Sequence, residues 1–137
     1  MRQHRLDELF KAVSDPTRLR LLNLLRLGSI CVCELHAVLH IPQPTASRHL
    51  AGLRHAGLVT DTRSGNRIIY SLAPPDTPQI EALHDLLDRC CPSDDVMQRD
   101  LARLKEAVRN GTCRLDPYAA GREAPDLGRA SLAGGRY

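Results

Sequence analysis

The sequence predicts one mainly α-helical domain that carries a single β-hairpin. Apolar residues recur at helical spacing along most of the first 110 positions, and they alternate as in strands only between residues 58 and 72. The chain has 137 residues, 42% of them hydrophobic, so it can bury one core. With one Phe, three Tyr and no Trp, that core must consist mostly of Leu, Ile, Val and Ala. A chain of this size often completes its core by dimerising.

Two helices are predicted before residue 28. Residues 4–13 hold apolar side chains three or four positions apart, as in an amphipathic helix. The polar pair Ser14–Asp15, followed by Pro16, ends this helix and begins the next. Residues 16–27 contain six leucines on most sides of the second helix, which indicates a position at the centre of the core.

A helix-turn-helix is predicted next. A short helix covers residues 33–40, the pair Ile41–Pro42 forms the turn, and a second helix covers residues 43–56 until Gly57 ends it. The inward side chains of this second helix are Ala46, Leu50 and Leu53. Its opposite face is basic and rich in hydroxyl groups, which is unusual for a helix that only supports a core.

The change to strand alternation predicts a β-hairpin with strands at residues 58–62 and 67–72. The turn at residues 63–66 reads Arg-Ser-Gly-Asn, and Gly65 and Asn66 are expected to adopt the positive φ angles of a tight turn. A helix-turn-helix followed by a hairpin is the order of a winged helix-turn-helix.

Two amphipathic helices are predicted after the hairpin, at residues 79–91 and 94–110, behind a break that contains three prolines. The first is expected to pack, together with residues 4–13, across the two-fold axis of a homodimer. Residues 111–137 are rich in Gly, Ala and Pro with scattered charges and are predicted to be a disordered tail. The DNA-binding and dimerisation domain is therefore expected to span residues 1–110.

The charge distribution favours double-stranded DNA as the partner of the second helix. Residues 43–67 hold four Arg and two His against one acid, Asp61. An all-α core whose polar helix face is only solvated is the alternative interpretation. The side chains expected to reach base edges or phosphates are Gln43, Thr45, Ser47, Arg48 and His49 on the helix, and Arg63, Asn66 and Arg67 on the hairpin.

Five cysteines form an odd set with one C-x-C pair, Cys31 and Cys33, and one vicinal pair, Cys90 and Cys91. This is a poor disulfide framework, and the chain has neither a hydrophobic signal region nor an apolar run of membrane-span length, so free thiols in the cytoplasm are expected. Thiolates favour soft metal ions. Positions i and i+2 point to different sides of a helix, so Cys31 and Cys33 can converge only if Cys31 lies outside regular helix. The alternative is two small buried apolar residues.

Residues 7–73 resemble the small homodimeric winged-helix metalloregulators of the ArsR/SmtB family. The resemblance rests on D-P-T-R at residues 15–18, C-V-C-E-L at 31–35, Q-P-T-A-S-R-H-L at 43–50 and L-R-H-A-G-L-V at 53–59. It implies a transcriptional repressor that binds a palindromic operator as a dimer and leaves it when a metal or metalloid binds the C-x-C thiols. In the arsenic and the cadmium/lead branches of that family, a segment like C-V-C-E-L begins the first helix of the helix-turn-helix.

The chain departs from the arsenic-responsive pattern at His36, where relatives often carry a third cysteine. Trivalent arsenic and antimony, the expected effectors, prefer three sulfurs, so the third ligand is expected from Cys90, Cys91 or Cys113 of the same or the partner protomer. Residues 1–30 lack the cysteines of the cadmium/lead branch, although Cd(II) and Pb(II) stay alternative effectors. The paired Asp/His zinc set is not clearly present either.

Two other functions are alternatives to a metalloid sensor. The same fold could sense oxidants through its thiols, by sulfenic acid or disulfide formation. A thiol enzyme of the arsenate reductase kind, in its phosphatase-like form, needs an Arg six residues after a Cys, and none of the five cysteines has one. The chain is therefore predicted not to be an enzyme.

Overall fold

A computed structural model of the protein describes residues 5–118. Six α-helices, one short 3₁₀ turn and a three-stranded antiparallel sheet follow one another along this part of the chain. Their bounds are α1 Leu6–Val13, α2 Pro16–Leu25, β1 Ile30–Cys31, α3 Val32–Leu39, α4 Gln43–His55, β2 Val59–Ser64, β3 Arg67–Leu72, α5 Pro78–Cys90, the 3₁₀ turn Cys91–Ser93 and α6 Asp95–Arg109. The predicted fold class, mainly α with a β-hairpin wing in a winged helix-turn-helix, is confirmed.

The helix α2 lies at the centre of the core, as its leucines predict. Asp15 caps its first turn by accepting a hydrogen bond from the Arg18 backbone N–H at 3.1 Å. The helix ends at Leu25, two residues before the predicted end. Four of its leucines are completely buried: Leu21, Leu22, Leu24 and Leu25.

The helix-turn-helix is formed by α3 and α4. His40 follows α3 with φ 56°, a left-handed residue that closes the helix before the turn at Ile41 and Pro42. The helix α4 buries Ala46, Leu50 and Leu53, the three inward residues predicted from spacing. Its opposite face is left at the protein surface.

The sheet has the strand order β1–β3–β2, so the hairpin is extended by a strand that the sequence did not predict. This strand is two residues long, and it pairs Ile30 with Tyr70 and Cys31 with Ile69. In the hairpin turn only Gly65 has a positive φ, of 62°, so the expectation for Asn66 is wrong. A two-residue turn with Gly at its first position needs only that one positive angle.

The chain beyond α6 returns to the domain. Asp116 pairs with Ser29 in an antiparallel bridge, and the Tyr118 hydroxyl accepts a hydrogen bond from the Leu72 N–H at 3.1 Å. The chain thus keeps contacts with the domain as far as Tyr118, eight residues past the boundary predicted at residue 110. The rest of the predicted tail, residues 119–137, lies outside the described residues. Between residues 5 and 118, no helix is long and apolar enough to cross a membrane.

Candidate thiol centre and nucleic-acid interface

Cys31 and Cys33 are brought together where β1 passes into α3. Cys31 is the residue before the helix, with an extended backbone at φ −69° and ψ 144°, so it lies outside regular helix as convergence requires. Its Sγ lies 2.7 Å from the Sγ of Cys33, and both thiols are free. A disulfide is much shorter, at about 2.05 Å. Cys31 is buried and Cys33 is exposed, so the pair can be reached from solvent on one side.

Glu34 completes a group that we call the thiol centre, consisting of Cys31, Cys33 and Glu34. One ligand atom of each residue lies within 4.8 Å of the others. Arg67 reaches this group from β3, and its Nη2 donates to the Glu34 carboxylate at 2.5 Å. Its positive charge also acts on the nearby Cys31 thiol. Glu34 was not predicted as a site residue, although it follows Cys33 directly in the quoted motif.

The two thiols of the pair differ in acidity. Burial is the largest influence on Cys31 and opposes ionisation, but hydrogen bonds from the Cys33 thiol, the Cys33 N–H and Arg67 together lower the pKa of Cys31 below its ordinary value. Partial desolvation and then the neighbouring Cys31 raise the pKa of Cys33. The first thiolate of the pair therefore forms at Cys31, which has the cationic partner.

Replacing Arg67 with Gln is expected to raise the pKa of Cys31, because the substitution removes a hydrogen bond and a positive charge from its thiolate. The first step in a pH titration of thiolate ultraviolet absorbance should then move to higher pH. Arg63→Gln is the matched control, since Arg63 is an exposed arginine of the same hairpin and should leave the curve unchanged. Identical curves for the wild type and Arg67→Gln would contradict the assignment.

Of the three candidate third ligands, the structure brings Cys113 to the thiol centre. Cys113 is 5% exposed, and the next residue, Arg114, donates its backbone N–H to the Glu34 carboxylate. Burial first, and then Glu34, raise the pKa of Cys113 to about 12. The thiol is therefore protonated at neutral pH.

The vicinal pair lies elsewhere within the chain. Cys90 ends α5 and is exposed, whereas Cys91 begins the 3₁₀ turn and is buried. Burial raises the pKa of Cys91, and the charged groups that act on it include Arg26 and Asp88, while none belongs to the thiol centre. The two thiols diverge as one packed and one exposed side chain, as neighbours at a helix end do.

The predicted DNA-contacting residues divide into an outward and an inward set. On the surface lie Gln43, Arg48, Arg63 and Asn66, with Thr45 and Ser47 half-buried beside them. His49 is only 15% exposed and accepts a hydrogen bond from Arg18 Nε at 3.2 Å, so it joins α4 to α2. Arg67 is turned to Glu34 and Cys31. These last two side chains are engaged within the chain, which spacing along the sequence could not reveal.

The fold and the surface of α4 define the class of winged helix-turn-helix regulators, and comparison with known proteins gives the family. Residues 15–61 match the family model described as bacterial regulatory protein, arsR family. An HTH-type transcriptional regulator from Methanocaldococcus jannaschii is 43% identical over 81 residues, which cover 58% of this chain and 91% of that protein. The chain belongs to the ArsR family of bacterial regulators.

Other relatives carry more specific names. The arsenical resistance operon repressor of Escherichia coli K12 is 47% identical over 68 residues, or 49% of this chain and 58% of that repressor. The chain thus spans less than two thirds of this curated relative. A homodimeric winged helix-turn-helix DNA-binding domain from Mycobacterium bovis superposes with a TM-score of 0.54 at 28% identity, over 61% of this chain and 75% of that one.

Proposed function

We propose that the protein is a homodimeric transcriptional repressor that binds operator DNA and releases it when As(III) or Sb(III) binds its cysteines. The observation that carries this proposal is the 2.7 Å approach of the Cys31 and Cys33 sulfurs at the start of the helix-turn-helix. Soft thiolate ligands suit these metalloids, and Cd(II) and Pb(II) are the alternative effectors. The similarity to an arsenical resistance operon repressor supports the same assignment. Such free thiols would be maintained in the reducing cytoplasm.

The exposed face of α4 would enter the major groove of double-stranded DNA. Gln43 and Arg48 are exposed near its N-terminal end, where recognition helices contact base edges. Arg63 and Asn66 at the hairpin tip would contact the sugar–phosphate backbone. Arg67 and His49, the two inward members of the predicted set, would position these elements without touching DNA.

The homodimer would form through α1 and α5, the two helices predicted to cross the two-fold axis. Leu6 and Phe10 on α1 are each 60% exposed, and Leu86 on α5 is 51% exposed. Apolar side chains of this size, grouped on helix faces, mark a surface that a partner covers. A second protomer would place a second α4 in the next major groove of a palindromic operator.

A structural change at the thiol centre would be passed directly to the elements that contact DNA. Cys33 and Glu34 belong to the first turn of α3, which packs on α4, and Arg67 lies on the hairpin. Bonding of Cys31 to an effector would take away one of the two groups that Arg67 faces, so Arg67 would keep only Glu34. A coupling free energy of roughly 1–3 kcal/mol is usual for such linkage, and operator DNA must then weaken effector binding equally.

We expect arsenite to raise the operator dissociation constant about 5- to 150-fold, the range that this coupling gives. Fluorescence anisotropy with a labelled operator fragment would measure it, before and after addition of arsenite, antimonite or Cd(II). Cys33→Ser is expected to bind DNA as the wild type does, and arsenite should leave its operator dissociation constant unchanged. Cys90→Ser is the matched control, since its exposed thiol lies outside the thiol centre, and it should respond.

Operator binding that survives all three ions in the wild type would refute the metalloid sensor. Release by peroxide instead would favour the redox alternative, which the close approach of the two sulfurs also suits because a disulfide could form there. Nonreducing mass spectrometry of the released protein would identify that disulfide directly.

A further inference from the structure

We propose that Cys113 of the same chain supplies the third sulfur, so that the metalloid site is Cys31, Cys33 and Cys113. The inference rests on the proposed function and names its ligand set. His36, which stands where a third cysteine is expected, has its Nδ1 3.2 Å from the Ile41 carbonyl oxygen, so the turn already engages it. The third sulfur is then expected from one of the C-terminal cysteines.

The segment that carries Cys113 is fixed at both ends. The Cys113 N–H donates to the Ala107 carbonyl at the end of α6, at 3.1 Å. Three residues later, Asp116 and Ser29 exchange two backbone hydrogen bonds, of 2.8 and 3.1 Å. Ser29 lies two residues before Cys31, so this bridge holds the segment that carries residue 113 beside the same stretch of chain. Cys113 therefore does not depend on a flexible tether to reach the pair.

Tyr118 adds an anchor to the same segment. Its hydroxyl donates to the Leu25 carbonyl and accepts from the Leu72 N–H, so it joins the end of α2 to the end of β3. Gly28 permits this close approach, because a Cβ at that position would lie 2.4 Å from the Asp116 carbonyl oxygen. The segment thus touches both the C-x-C region and the hairpin, the two parts that the repressor mechanism must couple.

Glu34 lies where the third sulfur would bind the metalloid. One oxygen of its carboxylate accepts the Arg114 N–H, and a carboxylate oxygen of the same residue lies within 4.8 Å of the Cys31 and Cys33 sulfurs. Glu34 therefore links the segment that carries Cys113 to the cysteine pair. A rotation of Glu34 towards Arg67, which already holds its other oxygen, would open the way for Cys113.

The bonding step is a condensation with arsenous acid, As(OH)₃. Three As–O and three S–H bonds break, three As–S bonds form, and three water molecules leave. Arsenic stays trivalent and no oxidant or reductant is needed. Each thiol proton leaves with a hydroxide as water. Arsenic then gains the three sulfurs that it prefers.

X-ray absorption spectroscopy on the full chain with one equivalent of arsenite per protomer tests this assignment. We expect three sulfurs around arsenic in the wild type and two sulfurs with one oxygen in both Cys113→Ser and Cys113→Ala. The double variant Cys90→Ser/Cys91→Ser is the matched control and should keep three sulfurs. Circular dichroism and operator binding without arsenite establish that each variant is folded.

The outcomes separate the two proposals. A wild type that binds no arsenite overturns the proposed function together with the ligand set. If the wild type binds arsenic through three sulfurs and Cys113→Ser keeps all three, the proposed function stands and the assignment of Cys113 as third ligand is overturned. Loss of one sulfur in the Cys90/Cys91 double variant would then assign the third ligand to that pair. A wild type with two sulfurs only overturns the third ligand and leaves the C-x-C sensor in place.

Discussion

Replacing Asp100 with Ala is expected to lower the free energy of unfolding by about 3 kcal/mol, because it leaves the charge of Arg20 without its partner. Asp100 is 1% exposed on α6, and both of its oxygens accept hydrogen bonds from Arg20 on α2, at 2.8 and 2.9 Å. Arg20 also donates to the carbonyl of Leu39, the last residue of α3. The pair therefore fixes the helix-turn-helix to the C-terminal helix.

Urea denaturation followed by circular dichroism measures this loss. The matched control is Asp85→Ala, which removes an acid from the exposed pair with Arg89 on α5, where the Nε–Oδ1 distance is 3.2 Å. Surface pairs of this kind contribute little, so the control should change the free energy of unfolding by less than about 1 kcal/mol. Equal effects of the two substitutions would mean that Arg20 is adequately hydrated once Asp100 is removed.

The helices and the hairpin could be predicted because their signals are local. Apolar spacing places the buried face of α4, and caps such as Asp15 and Asp94 accept N–H hydrogen bonds within three residues, so helix starts are readable from neighbouring positions. The convergence of Cys31 and Cys33 was also a local inference, from the geometry of positions i and i+2. The structure agrees with it because Cys31 ends a strand.

The contacts that complete the thiol centre join distant parts of the sequence, and no local pattern encodes them. Arg67 and Glu34 are 33 residues apart, and Arg114 and Glu34 are 80 apart. The composition of residues 111–137 suggested disorder, but composition averages over a stretch and conceals an eight-residue segment with specific partners. Tyr118 is the residue that could have indicated order in this stretch, since a tyrosine in a Gly- and Pro-rich stretch often has a packing partner.

Replacing both Leu6 and Phe10 with Glu is expected to produce a folded monomer that binds the operator about 10²- to 10⁴-fold more weakly. Both side chains are 60% exposed, so the isolated fold loses little packing when they change. Four acidic side chains on two facing copies of α1 would repel one another across the two-fold axis. Without the second protomer, the protein loses the gain in affinity that comes from binding two half-sites at once. That gain is the basis of the expected 10²- to 10⁴-fold effect.

Sedimentation equilibrium and anisotropy on the same samples separate assembly from recognition. Val96→Glu is the matched control, because Val96 is a 40% exposed apolar residue on α6, outside the two helices assigned to the interface. This control should stay dimeric and bind the operator as the wild type does. If it dissociates while the α1 variant stays dimeric, the two-fold axis runs along α6. The spacing between the two α4 helices would then differ, and so would the operator half-site spacing that the dimer recognises.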